Sequence, residues 1–149
     1  MSSQQELQAL SQELQEIQGH IESLQGVVET IRDEQRAVDE AIAAIETLET
    51  ESVVQVPLGG GAYVRASIED IDEVIVELGA DYAAEFERDG AVSALEMKKD
   101  RLDDRIDDVT ERISELEAES TRLEGQAQQL QQQALQQQMQ GLQGQERDE

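Results

Sequence analysis

Apolar residues recur along the first part of the chain at alternating spacings of three and four: Leu7, Leu10, Leu14, Ile17, Ile21, Leu24, Val28, Ile31, Val38, Ile42 and Ile45. With Leu7 as heptad position a, the a sites are Leu7, Leu14, Ile21, Val28, Gln35 and Ile42. The d sites are Leu10, Ile17, Leu24, Ile31, Val38 and Ile45. Gln35 is the single polar residue in that run. Such a rhythm is the seam of a coiled coil, because 3.5-residue spacing keeps one stripe of a helix facing its partner. A second stripe runs through Val92, Leu95, Lys99, Leu102, Ile106, Val109, Ile113, Leu116, Ser120, Leu123, Ala127, Leu130 and Ala134, with Lys99 and Ser120 as its polar sites. Asp89–Gly90 is the expected cap region of this second helix. Two helices of similar length joined by a short segment fold back most simply as an antiparallel pair, with both chain ends at the far end of the pair.

Between the stripes the period changes. SVVQV, AYVRASI, EVIVEL and YAAEF are rich in β-branched and aromatic residues and are separated by glycines or acidic residues. The pattern predicts two β-hairpins, 52–57/62–68 and 74–78/82–87, linked by Glu69–Glu73. Pro57 is the only proline and is expected at the end of the first strand, where the missing N–H is tolerated. Isolated hairpins are marginal, and Val74-Ile75-Val76 is apolar on both faces, so the strands call for partners from other chains. The expected fold is mainly α with a small β part: a long antiparallel coiled-coil hairpin with two central β-hairpins. Its divisions are a helix over 1–51, oligomerisation hairpins over 52–88, a second helix over 89–136 and a flexible glutamine-rich tail over 137–149.

Gly59-Gly60-Gly61 is the one stretch that invites a phosphate. A Walker-type loop, however, needs Gly-Lys-Ser/Thr entering a helix, and a dinucleotide fingerprint needs G-x-G-x-x-G before one. Here the glycines lead into Ala62-Tyr63-Val64, a strand, so they read as a hairpin turn in which positive φ is unstrained without a Cβ. The lone His20 falls at a g site beside the seam, with no pocket or second histidine for catalysis. Asp100, Asp103, Asp104, Asp107 and Asp108 read as a solvated helix face rather than a metal site. Asp108–Arg112 and Glu119–Arg122 are candidate ion pairs on the same helix. No enzyme, catalytic residue, metal or cofactor is expected.

Composition narrows the setting. The net charge is −24, from 35 acidic and 11 basic residues, which argues against nucleic acid and against an anionic membrane surface. Carboxylates this dense, with only Lys98 and Lys99 as lysines, are the surface of proteins that work in salt-saturated cytoplasm, where ions screen self-repulsion. There is no cysteine, and no signal peptide or long apolar run, so a cytoplasmic protein is expected.

The stretch VVQVPLGGGAYVRASI followed by DEVIVELGADYAAEFE, flanked by matched coiled-coil stripes, resembles the α-type subunits of archaeal prefoldin. The likeness includes the Val-Pro-Leu-Gly start and the two hairpins, where the β-type subunit has one. That resemblance implies an ATP-independent chaperone subunit in an α₂β₄ hexamer with β-type subunits. It would hold unfolded clients at the coiled-coil tips and pass them to a group II chaperonin. By the same likeness Val54, Val56, Tyr63, Val64, Ile68, Val74, Ile75 and Val76 would bury at subunit contacts. Leu7 and Leu10 on one helix, and Leu130, Leu135, Met139 and Leu142 on the other, would face clients. The residues give separate support at that end. Past Ala134 the leucines and Met139 leave the heptad rhythm, in a stretch where twelve of residues 126–145 are glutamine. Scattered apolar side chains on an uncharged background suit variable partners; a frayed low-complexity tail is the plainer reading. A coiled-coil spacer or co-chaperone adaptor without client-holding activity remains the alternative class.

Overall fold

The structure is a computed structural model that describes the backbone of residues 3–147 and side chains through Leu142. Helix α1 (Ser3–Thr47) is followed by strands β1 (Val53–Gly59), β2 (Ala62–Ser67), β3 (Val74–Gly79) and β4 (Tyr82–Phe86), then by helix α2 (Arg88–Arg147). The chain divides into two compact units, one of residues 30–106 and one formed by its two ends, before residue 30 and after residue 106.

In the first unit the ends of the helices nearest the strands pack together with hairpin β3–β4. Ile31, Val38, Val76, Ala91, Leu95 and Leu102 are its buried core, with Ile42, Ile45, Val74, Phe86 and Ile106 packed around them. Every seam position of the heptad analysis in this unit is buried or half-buried. The two polar ones meet across the helices in one layer. Gln35 Nε2 donates to Asp103 Oδ1 at 2.5 Å and toward the Lys99 carbonyl at 3.5 Å, while Lys99 Nζ pairs with Asp39 at 2.8 Å. A polar layer of this kind has few matching partners if one helix slides along the other, so it favours one register.

Each hairpin is its own two-stranded antiparallel sheet. In the first, Val54 pairs with Ala66 and Val56 with Val64; in the second, Val76 pairs with Ala84 and Val74 with Phe86. Both turns have positive φ at their two central residues: 60° and 81° at Gly60 and Gly61, 52° and 63° at Ala80 and Asp81. That is the type I′ geometry, whose twist matches the strands it joins. The ladder shifts register between Pro57 and Gly59 and again between Glu77 and Gly79. Pro57 therefore lies inside β1, opposite Tyr63, rather than at its end. A two-stranded hairpin has only edge strands, which is where proline is tolerated.

The connections are tied together at one place. Glu51 N donates to the Ile68 carbonyl at 2.7 Å and Ile68 N to the Ser52 carbonyl at 2.9 Å, carrying the first ladder past its strands. Ile71 N donates to Thr50 Oγ1, Arg88 N to Asp72 Oδ1, and the Arg88 guanidinium to the Leu48 carbonyl. Helix α2 thus starts at Arg88, which puts Asp89 and Gly90 in its first turn rather than at the cap. Asp89 still opposes the positive end of the helix dipole there.

In the second unit Ile17, Ile21, Leu116 and Leu123 form the buried core, with Leu10, Leu14, Leu24 and Ile113 against it. Outside the seam, Arg122 pairs with Glu119 at 3.9 Å, as the spacing predicts. Arg112 instead takes Glu115 at 3.1 Å in place of Asp108. Residues 137–147, expected to leave the helix as a flexible tail, continue α2.

Candidate functional site: hairpin faces and a glutamine-rich helix

Strand alternation sorts the hairpin residues onto faces. In the first hairpin Val54, Val56, Val64 and Ala66 share one face by direct pairing, and Tyr63 lies on the other, opposite Pro57 and beside Gln55 and Arg65. None of these residues belongs to either core cluster. Val56 and Val64 are 41% and 46% exposed, Tyr63 is 62% exposed, and Val54 and Ile68 are half-buried. The first hairpin thus carries an apolar face that its own chain leaves uncovered.

The second hairpin is divided differently. Val76 is 5% exposed, within the core against both helices, and Val74 is half-buried beside it. Ile75, one residue away and pointing to the opposite face, is 73% exposed. The expectation that Val76 faces another subunit is therefore corrected: the helix pair of its own chain covers it. A run apolar on both faces does need two partners, but one of them is intramolecular. Four exposed apolar residues lie on the hairpins outside the candidate set: Val53, Leu58, Leu78 and Tyr82. Leu58 and Leu78 precede the glycines of their turns, in the pattern Leu-Gly repeated at both tips, and that repeat is the sequence signal for them.

The residues expected to meet clients fall in the other unit and also divide. Leu7, Leu10 and Leu130 are half-buried seam residues, Leu10 packing against the cluster of Ile17, Ile21, Leu116 and Leu123. Leu135, Met139 and Leu142 are exposed, at 60%, 65% and 63%. In this unit α2 contributes residues 107–147 and α1 residues 3–29, so α2 is longer by about four turns. On its last turns the three side chains stay open between glutamines. No helix among the described residues is long and apolar enough to cross a membrane. No three or more acidic or histidine side chains there gather as metal ligands. Asp103, from the acidic run on α2, is engaged by Gln35.

A helix pair joined through two β-hairpins that keep apolar surface uncovered defines a subunit of a coiled-coil assembly. The sequence model of the prefoldin subunit family matches residues 17–133. The prefoldin subunit alpha of Halorubrum lacusprofundi is 64% identical over 105 residues, covering 70% of this chain and 69% of that one. That of Halobacterium salinarum is 63% identical over 106 residues, covering 71% and 69%. The Haloarcula marismortui subunit is 65% identical over 78 residues, a match that spans 51% of that relative's length. The filamentous PFD of Methanocaldococcus jannaschii, solved by cryo-EM, shares the fold with a TM-score of 0.53 at 24% identity, covering 80% of this chain and 95% of that chain. The chain belongs to the prefoldin family, and these three relatives are alpha subunits from salt-loving archaea. Prefoldin subunits are chaperone components.

Proposed function

We propose that this chain is the α-type subunit of a cytoplasmic holding chaperone that works without ATP. Its hairpins join those of β-type subunits in an α₂β₄ hexamer, and the free end of α2 holds unfolded chains for transfer to a group II chaperonin. The observation that carries this reading is the exposure of Leu135, Met139 and Leu142 on the glutamine-rich last turns of α2. Apolar side chains spaced along an uncharged helix bind partners of no fixed shape, because flexible leucine and methionine adapt and glutamine imposes neither charge nor geometry. On the hairpins, Val56, Val64 and Ile75 supply apolar area that association would remove from water at about 25 cal/mol per Å², and the free strand edges supply backbone partners.

The test replaces Leu135, Met139 and Leu142 with serine and measures suppression of aggregation of a denatured client, at high salt and with the β-type subunit present. Suppression should fall while the hexamer and the helical signal persist. Full suppression by an intact hexamer of the variant would remove the free helix end as the holding site. A stable dimer that ignores the β-type subunit would return the chain to the class of coiled-coil spacers.

A further inference from the structure

Residues 126–145, on the last turns of α2, contain no charged side chain, and twelve of the twenty are glutamine. Residues 88–124 of the same helix carry nineteen charged side chains in 37 positions. The start of α1 is also charge-poor: residues 3–12 hold one charge, Glu6. Both stretches belong to the unit formed by the two ends of the chain, where Leu10 packs against the cluster that contains Leu123. Helix formation does not require this composition. Every glutamine from 126 to 140 is exposed, and glutamate forms helix about as well as glutamine. On a chain of net charge −24 the neutral stretch departs from how exposed helix positions are filled elsewhere. It falls on the turns that expose Leu135, Met139 and Leu142.

We propose that the exposed glutamines of these turns set which clients the chain takes: acidic unfolded segments that also carry apolar side chains. The inference rests on client holding at the end of α2, as proposed above, and adds the chemistry of the client. Carboxylates as dense as this chain's are the surface of proteins in salt-saturated cytoplasm, so an unfolded client there brings aspartates and glutamates beside its leucines. Salt screens repulsion beyond about 3 Å at 1 M. At contact it does not help, because a carboxylate on α2 would have to shed water against a carboxylate of the client. Glutamine avoids that cost. Its amide both donates and accepts, so it pairs with client backbone or with client carboxylates. Gln132 stands three residues before Leu135, Gln136 three before Met139, and Gln138 between Leu135 and Leu142 at spacings of three and four. Those spacings put the three glutamines beside the apolar side chains on the helix surface. They are the positions where a client carboxylate would arrive with its leucine. The carboxylate-dense helix faces elsewhere disfavour the same segment, which confines it to these turns.

The test uses the full chain assembled with the β-type subunit, at high salt. Its probes are labelled unstructured peptides with leucines at fixed spacing and aspartate, asparagine or lysine at the polar positions, followed by fluorescence anisotropy. The parent chain should bind the aspartate and asparagine peptides within about threefold of each other. The triple variant Gln132→Glu, Gln136→Glu, Gln138→Glu should bind the aspartate peptide on the order of tenfold more weakly, while keeping the asparagine and lysine peptides. Gln132→Lys, Gln136→Lys, Gln138→Lys should bind the aspartate peptide more tightly than the parent, and decides the matter if the glutamates disturb the helix. Discrimination of tenfold or more against aspartate by the parent would overturn the inference. So would unchanged aspartate binding in both triple variants, or equal loss of all three peptides in the glutamate variant without a gain in the lysine variant. The variant Leu135→Ser, Met139→Ser, Leu142→Ser separates this inference from the reading beneath it. If that variant binds the aspartate and asparagine peptides as the parent does, or if the parent binds neither, client holding at the end of α2 falls and the inference with it. If it loses both peptides while the charge variants bind as the parent does, the inference alone falls.

Discussion

Val76 and Ile75 are neighbours on one strand with opposite fates, and that makes them a matched pair. Val76→Ala removes two methyl groups from a site 5% exposed, against Ile31, Val38, Ala91, Leu95 and Leu102. At about 0.8 kcal/mol per buried methylene, plus a cavity that helices held along a seam can only partly close, the loss is about 2 kcal/mol. For a chain of this size that lowers the melting temperature by roughly 4–8 °C. Ile75→Ala removes more carbon, but from a side chain 73% exposed, so the isolated chain should lose only a few tenths of a kcal/mol, as is usual for surface sites. Its cost should appear in association. Thermal melts followed by circular dichroism in high salt, over a range of protein concentrations and with and without a β-type subunit, separate the two. The Val76 shift should be independent of concentration and present in the chain alone. The Ile75 shift should appear only when partner is present and should grow with concentration to a plateau, because assembly stabilises by mass action. If Ile75→Ala destabilises the isolated chain as much as Val76→Ala, or if Val76→Ala lowers assembled mass without lowering the melting temperature, the division of the strand into an inner and an outer face is wrong.

The other expectations concern the turns, the polar layer and the seam. Ala80 sits at φ 52°, where Gly60 occupies the equivalent place in the first hairpin, so Ala80→Gly should stabilise the chain by about 0.5–1 kcal/mol, read as a rise in melting temperature. Any fall would mean that the alanine methyl makes a contact that matters. The carboxylate of Asp39, by hydrogen bond and charge, holds the Lys99 ammonium above the ordinary lysine range. The stability gained is fully present below the unfolded pKa and is lost as pH rises through the folded one. A melting series should therefore be flat with respect to this pair near neutrality and fall only in the alkaline range, and Asp39→Asn should remove that alkaline step. Leu123→Ala, in the buried core of the other unit at 4% exposure, should cost about 2–5 kcal/mol, measured by denaturant unfolding in high salt; a loss below about 1 kcal/mol would mean that the seam there is loosely packed.

The sequence made the helix seams legible to the residue, because a coiled coil repeats one local rule and each of its positions depends on spacing alone. The hairpins were legible as elements, from β-branched residues and the two Gly-started turns. What alternation could not supply was which face meets what. Val74-Ile75-Val76 is apolar on both sides, and only packing against Leu95 and Leu102, distant in sequence, decides that Val76 turns inward. The pairing of Val56 with Val64, and the separation of Tyr63 from them, depend on a register that the shift after Pro57 sets.

The two units divide the labour in a way that follows from where stability comes from. A two-stranded hairpin cannot hold itself in water, and the second hairpin is anchored by placing Val74, Val76 and Phe86 on the helix pair. The first hairpin has no such anchor in either core; backbone ties at Glu51 and Ser52 hold its base, and Val56 and Val64 on its apolar face are exposed. One hairpin is thus fixed to the helix pair, and the other is held at its base. The same division appears in the other unit, where the seam buries Ile17, Ile21, Leu116 and Leu123 while Leu135, Met139 and Leu142 are exposed. In each unit the residues that stabilise the fold are spent on the helix pair, so the exposed apolar residues can change without unfolding it. The exposed residues of the hairpins and of the end of α2 can then be altered by mutation one at a time, and a loss of assembly or of client holding on changing them can be told from a loss of fold.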